Sequence, residues 1–145
     1  MNWKYEAIDK LKQYEAKKQA VKNLPDEIKR LETAMQSIRS AMSDGSPVQG
    51  GGSGREDMYL SNIVRREELE RSLELAQKWI DFVDAGLELL AEDERLVLDR
   101  FYINPAKGNV ERLCMELGCE QATVYRRREQ ALRRFTLSLY GCMEI

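Results

Sequence analysis

The sequence predicts an all-α protein, and three observations carry that expectation. Apolar residues recur at intervals of three and four rather than two. About a third of the residues are Asp, Glu, Lys or Arg and few are aromatic, the balance of a water-exposed helical chain. The three prolines, Pro25, Pro47 and Pro105, fall where those patterns break. The expected order is an N-terminal helical hairpin or kinked helix over 1–43, a flexible Gly-rich linker over 44–57, a long helix over 58–90, and a module of shorter helices over 91–145.

In the first segment Leu24, Ile28, Leu31, Met35, Ile38 and Met42 are spaced 4, 3, 4, 3 and 4, the interval of a seam between packed helices. Trp3, Ala7, Leu11 and Tyr14 form a less regular stripe before it. Pro25 suits the first turn of a new helix, with Asp26 and Glu27 just behind it near the positive end of the dipole. A hairpin turning near Asn23 is therefore expected, with one bent helix as the alternative.

The run DGSPVQGGGSGRED, residues 44–57, replaces any apolar period with glycine, serine and proline, a composition that cannot bury enough surface to order itself. Beyond it Leu69, Leu73, Ala76, Ile80, Val83, Leu87 and Leu90 make an unbroken seam spaced 4, 3, 4, 3, 4 and 3. Extended backwards, the same register lands on Arg66, Asn62 and Tyr59, with Ile63 and Val64 beside it. A helix of about 33 residues is about 50 Å long, too long for a small compact domain. It should pack along the N-terminal helices, along a second copy in a homo-oligomer such as a dimer, or both.

From residue 91 the helices shorten. Glu92, Asp93 and Glu94 open a helix whose stripe is Leu96, Val97, Arg100 and Phe101, and NPAKGN ends it. A second short helix carries Val110, Leu113, Cys114 and Leu117 at i, i+3, i+4 and i+7, and Gly118 stops it. The last helix runs from about Gln121 to Leu139.

Several functions are disfavoured by what is missing. No apolar run approaches the length of a membrane span, and MNWKYEAIDKLK lacks the apolar core of a signal peptide, so a cytoplasmic protein is expected. Three cysteines without a CxxC pair, and no histidine, argue against zinc, against a disulfide framework and against the commonest general base. No enzyme activity, metal or cofactor is expected. The acids Asp81, Asp84, Glu88, Glu92, Asp93 and Glu94 read as a solvated helix face. Cys114 and Cys119 read as small packing residues, and Trp79 as a packing anchor.

The last helix is where charge becomes informative. On a wheel of 100° per residue, Val124, Ala131, Leu132 and Phe135 share one face, while Ala122, Thr123, Arg126, Arg127, Gln130, Arg133 and Arg134 share the other. The net charge of −2 conceals a polarised chain. Residues 55–103 hold seven basic against thirteen acidic residues, whereas residues 120–139 hold five arginines against Glu120 and Glu129. A short helix, a glycine turn and a second helix with Thr123, Arg126 and Arg127 near its start make up a helix-turn-helix, whose second helix enters the major groove of double-stranded DNA. Arginine is the side chain best shaped to grip guanine or phosphate with two parallel hydrogen bonds. Gln121, Ala122, Thr123, Arg126, Arg127, Gln130, Arg133 and Arg134 are the candidate DNA-binding residues.

The stretch LLAEDERLVLDRFYINPAKGNVERLCMELGCEQATVYRRREQALRRF resembles region 4 of the bacterial sigma-70 family, in its Leu117–Gly118 turn, its Thr123–Val124 pair and its Ala131–Leu132 pair. The whole layout is similar to small phage and prophage transcriptional regulators of the RinA/ArpU type. That resemblance implies late-gene regulation, DNA contacts by Thr123, Arg126, Arg127 and Gln130, and a core role for Val124 and Leu132. Arg128 stands where the motif usually places an apolar residue, so it is expected to snorkel or to pair with an acid such as Glu94. Two other readings compete: a DNA-packaging protein similar to a small terminase subunit, and a region 4-like module whose partner is RNA polymerase or a sigma factor.

Overall fold

The computed structural model describes residues 2–43 and 52–142, with only the backbone of Met42, Ser43, Gly52 and Ser53. The described chain is all-α. It runs α1 (Trp3–Ser43), α2 (Gly52–Glu88), α3 (Glu92–Leu98), a π-helical turn (Asp99–Ile103), α4 (Asn109–Leu117) and α5 (Gln121–Tyr140).

Three boundaries differ from expectation. The hairpin near Asn23 does not form: α1 is one helix with Pro25 inside it. Proline removes one backbone hydrogen bond and crowds the carbonyl four residues back. Pro25 is exposed, so that site faces water rather than a packed interior. Residues 44–51 of the expected linker lie outside the described residues, but from Gly52 the chain is already α2, despite the poor helix propensity of glycine. Arg55 gives the local reason, since its Nη1 donates to the Ala41 carbonyl at 3.2 Å and so satisfies an acceptor in the last turn of α1. At its other end α2 stops at Glu88, ahead of Leu90.

The chain divides into two compact units. The unit of residues 18–77 is a pair of helical segments running antiparallel, as the contacts of Leu31 with Asn62 and of Arg39 with Tyr59 show. Ile28, Leu31 and Met35 from α1 and Ala76 from α2 are buried, as their seam spacing predicted. The seam does not break upstream; it turns polar. Asn62 is buried, its Nδ2 donates to the Leu31 carbonyl at 2.9 Å, and its Oδ1 accepts from Arg66 Nε at 3.0 Å. A buried amide satisfied in this way fixes one register of the two helices. Met42, the last residue of the α1 seam, lies outside the described side chains.

The second unit comprises residues 1–17 and 78–145 and holds two cores. The larger is built from Ala7 and Leu11 of α1, Val83 of α2, Leu90, Leu98, and Ala131, Leu132, Phe135 and Leu139 of α5. The smaller contains Val97, Leu113 and Val124, with Leu96, Phe101, Val110, Cys114, Leu117 and Cys119 packed at its edge. The seam residues Ile80, Val83 and Leu90 are thus buried within one chain. Burial of each such side chain contributes about 1.5–3 kcal/mol. Trp79 packs at the edge of the larger core with Lys17 5.5 Å from its ring centre, which is the anchoring role expected of it.

The segment after residue 91 is more divided than its single stripe suggested. Leu96, Val97 and Phe101 face the smaller core, whereas Leu98, Tyr102 and Ile103 face the larger one. The π-helical turn closes with the Asn104 N–H donating to the Asp99 carbonyl at 2.7 Å. Tyr14 donates to Asp84, and burial followed by that hydrogen bond pushes the Tyr14 phenol up. Asp84 is therefore a structural acceptor rather than a member of a solvated acidic face.

At Gly86, α2 comes close to side chains of α5. A Cβ there would lie 2.7 Å from Leu139 Cδ2 and 3.1 Å from Phe135 Cε1. Gly86→Val is expected to cost about 1–3 kcal/mol through overpacking. Urea denaturation checks this, as a lower midpoint at unchanged slope.

Candidate nucleic-acid interface

The interface starts from a turn. Gly118 ends α4 with φ 62° and ψ 40°, a left-handed conformation that glycine adopts without a Cβ penalty. Its N–H and that of Cys119 both donate to the Cys114 carbonyl, the latter at 3.2 Å. Cys119 packs against the smaller core, as expected of a residue plugging a turn. Glu120 then leads directly into α5.

The setting of α5 follows from its buried face. Val124 is enclosed with Val97 and Leu113 in one core, while Ala131, Leu132, Phe135 and Leu139 lie in the other. One helix is thereby held by both cores, which fixes its rotation about its own axis. Thr136 shares that buried face, its hydroxyl donating to the Leu132 carbonyl at 2.7 Å. The opposite face carries the candidate residues. Gln121, Ala122, Arg126, Gln130, Arg133 and Arg134 are exposed, and Thr123 and Arg127 are half-buried. All eight thus lie on one helix outside its core, and Arg126 donates to Thr123 Oγ1 at 3.2 Å.

This face is not uniformly cationic. Across a groove whose lining includes Arg127, Gln130, Arg133 and Arg134, the first turn of α3 presents Asp93 and Glu94. Arg134 Nη1 is 2.5 Å from Glu94 Oε1, and Arg127 Nη1 is 3.6 Å from Asp93 Oδ2. The expected solvated face of acids is corrected here too, because two of its members hold arginines. Both pairs remain open to water, with Arg134 58% and Arg127 39% exposed. Exposed pairs of this kind contribute little stability, so a competing anion can replace the carboxylate.

Arg128 does not reach Glu94. Its guanidinium lies 5.0 Å from the centre of the Phe101 ring and 5.2 Å from that of Tyr125, with Nη2 3.3 Å from Glu129 Oε1. Two aromatic faces suit a planar cation, which explains an arginine where an apolar residue was expected. Glu129 is also 2.5 Å from the Nζ of Lys4, whose ammonium holds that carboxyl below the ordinary carboxylate range. Phe101, Tyr125 and Asp93 border this face without having been singled out for it, and Glu94, expected to pair with Arg128, pairs with Arg134 instead. Only the helical periodicity of α3 hinted at Asp93, since its partner lies far along the chain.

Among the described residues no group of acids and cysteines is arranged to hold a metal ion, and no helix is long and apolar enough to cross a membrane. The three cysteines are free.

No curated protein and no solved structure matches the chain. A family match spans residues 37–136, from the last turns of α1 through most of α5 and so including the turn, both acids and every candidate residue. With more than half of its length matched, the chain belongs to the family described as Protein of unknown function (DUF1492).

Proposed function

We propose that the protein is a DNA-binding transcriptional regulator that places α5 in the major groove of duplex DNA. The observation that carries this reading is the division of α5 into a face locked in two cores and a face showing Arg126, Arg133 and Arg134 to solvent. A helix held in this way presents its outer side chains without the entropy cost of ordering a loop, and its N-terminal half carries Thr123 and Arg126 where a recognition helix contacts base edges. The short α4 and the Gly118 turn supply the partner helix that crosses the phosphate backbone in such modules. The resemblance to region 4 of sigma-70 and to RinA/ArpU-type regulators supplies the setting, late-gene control in a phage or prophage within the cytoplasm.

The test is titration of labelled duplex DNA with the intact protein across a salt series. Binding at about 50 mM salt is expected, with log affinity falling linearly against log salt. Enriched sites from genomic DNA pull-down with sequencing should cluster near a promoter. Absence of duplex binding at about 50 mM salt rejects the reading.

A further inference from the structure

We propose that Asp93 and Glu94 are built-in counter-ions of the DNA-facing helix, which weaken the attachment of Arg127 and Arg134 to phosphate and flatten its salt dependence. This rests on the DNA-binding reading above and names the residues that temper its affinity.

The geometry of the two acids differs from that of an ordinary surface pair. Each carboxylate is held by the backbone of its own helix as well as by an arginine. Glu94 Oε1 accepts the Ala91 N–H at 3.0 Å as well as the Arg134 guanidinium. Asp93 Oδ1 accepts the Glu94 N–H at 3.0 Å, while its Oδ2 faces Arg127. The positive end of α3 favours both charges where they are. Glu94 is further restrained by burial, with 16% of its side chain exposed. The acids therefore stay in place when the arginines leave.

The arginines, by contrast, are free to leave. Arg127 and Arg134 are one heptad apart on one stripe of α5, Arg127 half-buried and Arg134 exposed, each meeting its acid through the tip of the guanidinium. To reach a phosphate, each must give up a carboxylate that remains fixed beside the groove. Two consequences follow. A freed carboxylate takes up a cation from solution and cancels much of the counter-ion release that the arginine–phosphate contact produces. Phosphate contacts carry no sequence information, so specific and random duplexes bear this cost alike, and the acids lower the affinity for both.

The salt dependence reads this directly. Each arginine that meets a phosphate and releases counter-ions in full contributes about −0.9 to the log-log slope, and Arg127 and Arg134 contribute less because they exchange one partner for another. Asp93→Asn/Glu94→Gln should steepen the wild-type slope by between about 0.9 and 1.8. It should also raise affinity for specific and random duplex alike, by about tenfold at low salt. Asparagine and glutamine keep the side-chain shapes, and glutamine serves at the third position of a capping box, so α3 is expected to form. Glu94→Gln alone, with helicity followed by circular dichroism, provides the milder variant. Glu67→Gln/Glu70→Gln on α2 makes the same change in net charge and should leave the slope unaltered.

Wild-type binding with an equal slope in the Asp93/Glu94 variant overturns the counter-ion role and leaves DNA binding intact. An equal steepening in the α2 control overturns it as well, since bulk charge then explains the effect. Failure of both wild type and variant to bind any duplex overturns the DNA reading and this inference together.

Discussion

Phe135→Ala should lower stability by about 3–5 kcal/mol, the largest effect expected from one substitution in this protein. Phe135 is fully enclosed in the larger core among Ala131, Leu132 and Leu139 and touches the Gly86 backbone region of α2. Truncation removes most of a large buried ring, and the close approach at Gly86 leaves no side chain there to collapse into the space. The drop should appear as a lower urea midpoint and as a fall in Tm on the order of 10 °C or more. Loss of DNA binding would accompany it, because α5 takes its orientation from this core.

The second large effect is functional. Arg126→Ala should cost about 1–3 kcal/mol on a specific duplex and little on random sequence, so base preference relaxes while the fold is unchanged. The side chain is exposed and donates to the Thr123 hydroxyl, also at the surface, so its removal leaves no buried group unpaired. Arg134→Ala should weaken all duplexes alike, and by less, because that arginine surrenders an ion pair with Glu94 before it reaches DNA. Fluorescence anisotropy on paired specific and scrambled duplexes, with unaltered thermal melts as control, separates the two variants.

The sequence made some parts of this arrangement legible and hid others, for identifiable reasons. The two faces of α5 were readable because a long amphipathic helix repeats its signal: Val124, Ala131, Leu132 and Phe135 are all buried. The α4 stripe and the Gly118 turn were readable because a left-handed cap favours glycine. Thr136 was missed since its hydroxyl is satisfied by the backbone of its own helix, which lets a polar residue occupy an apolar position. Asn62 was missed for a related reason: its partner is a carbonyl of α1, and no local pattern announces a contact 31 residues away. Pro25 misled because proline usually starts or breaks a helix, and only the structure shows its exposed setting. A pairing of Glu94 with an α5 arginine was foreseen but assigned to Arg128; that Arg134 and Arg127 face Glu94 and Asp93 depends on how α3 packs, and the stripe of α3 showed one of its two faces.

One feature of the larger core reaches back to how the molecule is made. Ala7 and Leu11 leave the ribosome well before Ala131, Leu132 and Phe135, with which they share this core. The core therefore cannot close until α5 has been made, and the apolar stripe of α1 waits uncovered while the intervening helices emerge. The helix proposed to meet DNA also contributes to both cores of the unit it belongs to, so a chain released before α5 is translated lacks both the proposed DNA face and its interior.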